Sequence, residues 1–168
     1  MSTSAAPTST RPSGDPDPQR YALLVGSSGG HLAQLVALRP WWSDYRTRWV
    51  TFPTADALDL LAEQDVVPAA YPTTRNLPNL LRNAVLAVRM LLQERPDVIV
   101  STGAGVAVPF FVVGRLLGIP TVYLEVFDRI DSATLTGRLC RPFTDRMLVQ
   151  WEEQESLYRG AVNVGPVL

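Results

Sequence analysis

The sequence contains no lysine, and all 15 of its basic residues are arginine. Without lysine the chain cannot form a Schiff base with a substrate, nor can it supply the lysine of a phosphate-binding P-loop. It has a single cysteine, Cys140. One cysteine excludes an internal disulfide bond and a cysteine-rich metal site, and it is typical of a reducing compartment. We therefore predict a cytoplasmic protein, and no cluster of metal ligands is visible in the sequence.

A strong net charge and a long apolar run are also missing. The net charge is -1 and the isoelectric point is about 5.8, so nucleic acid is not an expected partner. The longest apolar stretch, residues 104–119, is interrupted by Pro109 and Arg115 and is not expected to span a bilayer. Residues 1–19 are rich in Ser, Thr and Pro, which predicts a disordered tail before one globular domain over residues 20–168.

Short apolar runs alternate with helix-type patterns from Tyr21 to the end of the chain. Several of the runs are continuously hydrophobic, as in a parallel sheet that is covered on both faces. The pattern predicts an α/β fold with a Rossmann-like, doubly wound, mostly parallel sheet. A polar segment after Val126 is read as turn-rich. The predicted strands lie within residues 21–26, 47–52, 66–72, 97–101, 121–126, 145–150 and 161–165.

Two glycine-rich segments each follow an apolar run and precede a helical pattern: GSSGGH at residues 26–31 and STGAG at residues 101–105. In doubly wound sheets, ligands bind beyond the carboxyl ends of the strands, where helix N-termini attract anions. A pair of such loops suits a diphosphate, although neither has the spacing of a dinucleotide fingerprint or a Walker A motif. The first loop alone also fits a tight strand-to-helix turn in which His31 caps the helix, and each loop by itself is weak evidence for a ligand site. In the first loop, Gly26, Gly29 and Gly30 allow tight turns and close approach of a ligand, and Ser27 and Ser28 can add hydroxyl donors to an anion.

Glu125 ends the apolar run TVYL. A carboxylate in that place either forms an ion pair, for which Arg129 is available, or projects into a cleft as a functional group. The residues alone leave both interpretations open.

Several motifs in a fixed order make the sequence resemble the acceptor-side subunits of two-component UDP-sugar glycosyltransferases. They are GSSGGH, STGAG, PFFVVGRLLGIPTVYLE, DRIDSATLTGRL and DRMLVQW. This family includes the membrane-anchor subunit of the UDP-N-acetylglucosamine transferase that acts on dolichol-linked sugar, and bacterial capsule and exopolysaccharide counterparts. More distantly, the chain resembles the N-terminal half of the N-acetylglucosaminyltransferase that completes the lipid-linked peptidoglycan precursor. The resemblance covers residues 20–168.

The resemblance implies the N-terminal, acceptor-binding half of a GT-B glycosyltransferase. A separate chain would then bind the UDP-sugar, so a heterodimer is expected, the chain alone should be nearly inactive, and no further cofactor is implied. The acceptor would be a polyprenyl-diphosphate-linked sugar. By the same resemblance His31 is the candidate general base, with Glu125 as an alternative base or a residue that orients the acceptor. By this resemblance the residues that would hold the diphosphate of the acceptor or border the donor phosphates are Ser28, Gly29, Gly30, Thr102, Gly103 and Gly105.

Eukaryotic members of this family carry an N-terminal membrane-spanning helix, whereas this sequence begins with a polar tail. Another device for membrane contact lies around residues 77–95, where Arg75, Arg82 and Arg89 recur every seven residues among leucine and valine. We predict peripheral association with the cytoplasmic face of an anionic membrane. The alternative is a helix that packs on the sheet and exposes a solvated arginine stripe.

Two other functions are also compatible with the sequence. The chain could be a non-catalytic scaffold that places a catalytic partner at the membrane. It could also be a nucleotide-dependent oxidoreductase, although the dinucleotide fingerprint is missing.

Overall fold

A computed structural model describes residues 20–168, which form a seven-stranded, all-parallel sheet with helices packed on it. The predicted disordered tail at residues 1–19 lies outside the described residues. The α/β, Rossmann-like fold is confirmed, and a strand occurs within or beside each predicted stretch. The strands are β1 (Tyr21–Val25), β2 (Arg46–Thr51), β3 (Asp65–Pro68), β4 (Val98–Ser101), β5 (Thr121–Leu124), β6 (Arg146–Val149) and β7 (Val162–Asn163). The helices are α1 (Gly30–Ala37), α2 (Arg39–Trp42), α3 (Ala55–Leu60), α4 (Leu77–Gln93), α5 (Ala107–Leu116), α6 (Leu135–Cys140) and α7 (Glu152–Glu155).

The side chains of β1 alternate between two apolar clusters, one on each face of the sheet. Leu23 and Val25 join the cluster formed with α4, α5 and α6, whereas Ala22 and Leu24 join the cluster formed with α1, α2 and α3. This two-residue period is the geometry of an extended strand. Because both faces of β1 are buried, its sequence reads as a continuous hydrophobic run.

Helix α6 is the element that the sequence-based reading missed. It begins after Thr134, whose hydroxyl accepts a hydrogen bond from the backbone N–H of Gly137 at 3.0 Å. The helix has six residues, and its Leu135 and Leu139 side chains are exposed, so it carries too few buried positions for a periodic signal. The polar segment between Val126 and Thr134 is turn-rich as predicted, but the predicted turn region wrongly included the residues that form α6.

The strand order β3-β2-β1-β4-β5-β6-β7 places β1 beside β4. The chain proceeds from β1 towards β3 on one side and from β4 towards β7 on the other, so the topological switch point lies between β1 and β4. Ligands of doubly wound sheets bind in the crevice at the carboxyl ends of such a pair. Both glycine-rich loops emerge there.

Part of the sheet is less well covered on the α1–α3 face. A cavity of about 250 Å³ lies there, lined almost wholly by apolar atoms. Its lining residues are Leu38, Trp41, Val100, Val122, Arg146 and Leu148. Within residues 20–168, none of the helices combines the length and hydrophobicity needed to cross a bilayer.

Candidate active site

The loops after β1 and β4 form the floor of the candidate site. Gly29 caps α1 with φ +73°, and Gly103 has φ +119°, so both adopt backbone conformations that favour glycine. Among the described residues, no heavy atom lies within 4 Å of a Cβ added at Gly29 or Gly30. Both glycines are exposed, and no neighbouring segment within residues 20–168 occupies the space where a side chain would lie.

His31 joins the two loops. Its Nδ1 lies 2.8 Å from the carbonyl oxygen of Thr102, and the Thr102 hydroxyl donates to the carbonyl oxygen of His31 at 2.7 Å. A carbonyl oxygen can only accept, so Nδ1 carries the hydrogen in this bond. In the neutral imidazole the lone pair that can accept a proton is therefore on Nε2.

Gly103 leaves room for the His31 ring and for Tyr123. A Cβ at Gly103 would lie 2.8 Å from the phenol oxygen of Tyr123 and 2.9 Å from Cε1 of His31. Glycine is thus required at this position by both its φ angle and its neighbours. Burial raises the pKa of the Tyr123 phenol well above its usual range. The phenol oxygen lies 3.4 Å from the hydroxyl oxygen of Thr134.

Glu125 is completely buried behind this floor, with no exposed surface. Its carboxylate accepts hydrogen bonds from the hydroxyl of Thr134 at 2.9 Å, from the N–H of Val126 at 3.0 Å, and from the phenol of Tyr158. Burial, followed by the bond to the carboxylate, raises the pKa of Tyr158 well above its usual range. The Glu125 carboxylate therefore ties the loop after β5 to α6 and to the segment after α7.

This geometry excludes the ion pair with Arg129, which was one of the two interpretations of Glu125 that the sequence left open. The Arg129 side chain is exposed, and no ion pair to Glu125 occurs among the described residues. The carboxylate instead accepts hydrogen bonds from neutral donors, which satisfy its buried oxygen atoms. Because Glu125 has no exposed surface, the geometry does not favour it as a base that touches an acceptor. It favours a role in which Glu125 positions the start of α6 through its bond to Thr134.

A buried network of glutamine amides lies beside Glu125. The side-chain amide of Gln150 donates to the side-chain oxygen of Gln34 at 2.7 Å and to the carbonyl oxygen of Glu125 at 2.8 Å. Gln154 donates to the carbonyl oxygens of Val126 and Arg129, each at 2.9 Å. These bonds connect helix α1, which carries His31, to the loop after β5.

The segment after β3, residues 70–75, lies beside the β4 loop, and we call it the wall after β3. A Cβ at Gly105 would lie 2.9 Å from both Cβ and Oγ1 of Thr73, so the two segments are in direct contact. Two buried asparagines of α4 hold this segment. Asn83 bonds both the N–H and the carbonyl oxygen of Ala70, at 2.8 and 2.9 Å, and Asn79 donates to the carbonyl oxygen of Pro72 at 2.9 Å.

Helix α4 has an exposed apolar face, which we call the α4 apolar stripe. Its side chains are between 41% and 66% exposed, and their spacing of three or four residues keeps them on one side of the helix. The stripe consists of Leu77, Leu81, Val85, Val88 and Leu92. Arg82 and Arg89 are exposed on the same helix. Arg75 precedes it with φ +52°, so the helix does not reach Arg75 and only two of the three arginines share its face.

Comparison with known families decides what kind of protein has this architecture. The family model described as "Oligosaccharide biosynthesis protein Alg14 like" matches residues 69–167, which is more than half of the chain. The chain belongs to this family. The match includes the wall after β3, the β4 loop, Glu125 and α6.

Curated relatives of this Alg14-like chain are named as transferase subunits or transferases. The UDP-N-acetylglucosamine transferase subunit ALG14 of Candida albicans is 26% identical over 164 residues, covering 83% of this chain and 73% of that protein. The corresponding subunit of Schizosaccharomyces pombe is 40% identical over 77 residues, covering 43% of this chain and 37% of that protein. The UDP-N-acetylglucosamine–N-acetylmuramyl-(pentapeptide) pyrophosphoryl-undecaprenol N-acetylglucosamine transferase of Gloeothece citriformis is 30% identical, covering 76% of this chain and 36% of that enzyme. The predicted resemblance is confirmed.

Solved structures confirm the fold of the Alg14-like chain. MurG of Acinetobacter baumannii superposes with a TM-score of 0.64 at 19% identity, covering 78% of this chain and 41% of MurG. The UDP-N-acetylglucosamine 2-epimerase of Rickettsia bellii superposes with a TM-score of 0.65 at 12% identity, covering 82% of this chain and 40% of that enzyme. The chain thus spans less than half of these two structures and has the fold of one half of a GT-B protein.

The structure brings most of the sequence-predicted site residues of this Alg14-like chain to one edge of the sheet. Ser28, Gly29, Gly30 and His31 lie on the β1 side of the switch point, and Thr102, Gly103 and Gly105 lie on the β4 side. Arg82 and Arg89 lie apart from them on α4. Sequence reasoning missed Tyr123, Asn83 and Gln150. Asn79 and Asn83 stand four residues apart in an otherwise apolar-periodic helix, which was the available signal for a buried polar pair.

Proposed function

We propose that this chain is the acceptor-binding subunit of a two-chain glycosyltransferase. The reaction would transfer a sugar, N-acetylglucosamine or another hexose, from a UDP-sugar to a polyprenyl-diphosphate-linked saccharide. The observation that carries the proposal is the reciprocal pair of bonds between His31 and Thr102, which holds an imidazole between the two glycine loops. Membership of the Alg14-like family and the names of the relatives support it.

In the proposed mechanism, His31 is the general base. Nε2 takes the proton from the attacking hydroxyl of the acceptor, a bond forms between that oxygen and the anomeric carbon of the donor, and the bond from that carbon to the phosphate of UDP breaks. The carbonyl oxygen of Thr102, 2.8 Å from Nδ1, would stabilise the imidazolium that results. The exposed backbone at Gly29 and Gly30 would bind a phosphate of the acceptor.

A partner chain would bind most of the UDP-sugar and complete the site, in a heterodimer that is nearly inactive when this chain is alone. The names of relatives described as transferase subunits support a partner chain. We propose that the partner contacts the carboxyl edge of the sheet, where the two glycine loops lie.

The α4 apolar stripe supports a membrane-bound acceptor. An exposed apolar face with Arg82 and Arg89 beside it fits the surface of an anionic bilayer, where apolar side chains enter the headgroup region and arginines meet lipid phosphates. We propose peripheral binding to the cytoplasmic face of the membrane through this helix.

The proposal is tested by a transfer assay with a panel of UDP-sugars and a lipid-linked acceptor. The assay would compare this chain, the product of a neighbouring glycosyltransferase gene, and the two together. Transfer that requires both chains is the expected result. Transfer by the neighbour alone would leave this chain a scaffold, and binding of a nicotinamide cofactor without transfer by any mixture would favour an oxidoreductase.

A further inference from the structure

Tyr71 and Phe52 form an aromatic pair at the carboxyl edge of the sheet. Phe52 follows β2 directly, and Tyr71 lies in the wall after β3. Their ring centroids are 5.5 Å apart and their planes are inclined by 26°, so the rings are stacked. Phe52 packs against the core, whereas Tyr71 is 50% exposed. One face of the Tyr71 ring is thus covered by Phe52, and the ring still has a large exposed area.

The backbone on both sides of Tyr71 is clamped by buried amides. Asn83, with no exposed surface, bonds both backbone polar groups of Ala70, and Asn79, which is 5% exposed, bonds the carbonyl oxygen of Pro72. Burying two polar side chains is costly unless they are fully hydrogen-bonded. Here both side chains form their hydrogen bonds with the backbone of one short segment. A rigid backbone beneath an exposed aromatic ring is the arrangement that preorganises a binding surface.

The position of the ring relates it to the candidate active site. Two residues after Tyr71, Thr73 touches Gly105 of the β4 loop, and Gly103 of the same loop borders His31. A ligand with its phosphates at the glycine loops would therefore have the wall after β3 at its side. A pyranose ring has a face of C–H groups that packs well on the electron-rich face of an aromatic ring.

We propose that Tyr71, supported by Phe52, is the platform on which a sugar ring of the acceptor stacks. This inference rests on the proposed acceptor role and adds the part of the chain that recognises the saccharide as distinct from its diphosphate. Arg75, four residues on and exposed at the same wall, lines a cavity of about 340 Å³ with Thr73 and Leu77. That cavity continues the wall towards the α4 apolar stripe, on the side where the lipid part of the acceptor would lie.

Calorimetric titration of the full chain with two probes tests the platform. One probe is a short-chain prenyl diphosphate that carries one N-acetylglucosamine, and the other is the same prenyl diphosphate without sugar. We expect the wild-type chain to bind the sugar-bearing probe about tenfold more tightly. Tyr71→Ala should abolish this preference and leave the affinity for the sugar-free probe unchanged, whereas Tyr71→Phe should keep it.

The matched control is Tyr45→Ala. Tyr45 stacks on Trp41 with centroids 5.0 Å apart, but it precedes β2 and so lies at the opposite edge of the sheet. Its removal should leave the sugar preference intact. If Tyr71→Ala keeps the preference, or if it weakens only sedimentation with phosphatidylglycerol vesicles, the platform is wrong and Tyr71 is a structural or membrane-contacting residue. Failure of the wild-type chain to bind either probe would contradict the acceptor role itself.

Discussion

His31 and Thr102 hold each other by two hydrogen bonds across the switch point. Nδ1 of His31 meets the Thr102 carbonyl oxygen at 2.8 Å, and the Thr102 hydroxyl meets the His31 carbonyl oxygen at 2.7 Å. The two residues are 71 positions apart in the chain. This relationship fixes the tautomer and the direction of the imidazole, and it makes the β1 and β4 loops one rigid unit.

His31→Ala should therefore strongly reduce transfer without unfolding the protein. We expect a loss of about 10²- to 10⁴-fold in kcat of the two-chain enzyme, the usual contribution of a general base. Thr102→Val retains the imidazole and its carbonyl acceptor but removes one of the two bonds, so it should cost much less, about tenfold. If His31→Ala keeps more than a tenth of wild-type activity, the scaffold reading replaces the catalytic one.

Gly103→Ala should lower both stability and activity. The new methyl group would meet the Tyr123 phenol and the His31 ring, and the residue would have to keep φ +119°, so we expect a loss of about 3 kcal/mol in the free energy of unfolding. Gly160→Ala is the matched control. Gly160 also has a positive φ, +77°, but no described atom lies within 4 Å of an added Cβ, so only the conformational cost of about 1 kcal/mol should remain. Equal losses in urea denaturation would contradict the packing argument.

Substitutions at Glu125 separate a positioning role from a catalytic one. Glu125→Ala leaves the hydroxyls of Thr134 and Tyr158 without their acceptor, which should cost about 3 kcal/mol of stability. Tyr158→Phe removes one donor to the same carboxylate and should cost about 1–3 kcal/mol. We expect Glu125→Gln, which keeps the shape, to retain at least a tenth of the activity per folded molecule. A variant that is fully stable yet inactive would restore Glu125 as a base.

Stability should fall at alkaline pH. Burial, with a smaller contribution from Glu125, raises the pKa of the Cys140 thiol from its ordinary 9.0 to about 12. The thiol stays protonated in the folded protein while the unfolded chain ionises above pH 9, so the stabilisation is fully present below pH 9 and is lost as the pH rises towards 12. The loss is at most roughly 4 kcal/mol. The midpoint of urea unfolding should decrease less steeply over this interval in Cys140→Ala than in the wild type, and parallel curves would contradict the assignment.

Membrane binding should depend on the α4 apolar stripe and its arginines. Leu81→Glu places a charge in the middle of the stripe, and Arg82→Glu with Arg89→Glu reverses the neighbouring charge. At about 1 kcal/mol per basic residue, the double variant should bind anionic vesicles at least tenfold more weakly in a sedimentation assay, and the wild-type affinity should decrease with salt. Leu116→Asp is the control, since Leu116 is 79% exposed but lies on α5 outside the stripe. If the control weakens binding as much, the stripe is not the contact.

Much of the fold could be predicted because it follows from local patterns of apolar and polar residues. A strand buried on both faces must be apolar at every position, as Tyr21–Val25 is, and the alternation of such runs with helices leads to a parallel sheet. The glycine loops were also predictable. A strand that runs into Gly26 and on to Gly29 and Gly30 needs a special backbone there, and the carboxyl edge of a parallel sheet is where ligands bind.

The residues that shape the site were less predictable because their roles depend on distant parts of the chain. The sequence shows a carboxylate at the end of β5 but not its partners, and Arg129, the ion-pair partner that was available nearby, does not bond to it. The actual donors are Thr134, nine residues away, and Tyr158, 33 residues away. Similarly, nothing local shows that Asn83 bonds Ala70.

By itself, the sequence determined the strand count, the parallel α/β architecture, the two glycine loops and the absence of lysine chemistry, since each follows from residue type and short-range spacing. Tertiary structure alone decided which groups meet. It directed His31 onto Thr102, enclosed Glu125 among neutral donors, left the α4 apolar stripe exposed and held Tyr71 at the edge of the sheet. The physical reason is that hydrogen bonding and burial are settled by long-range packing, which a one-dimensional pattern does not contain.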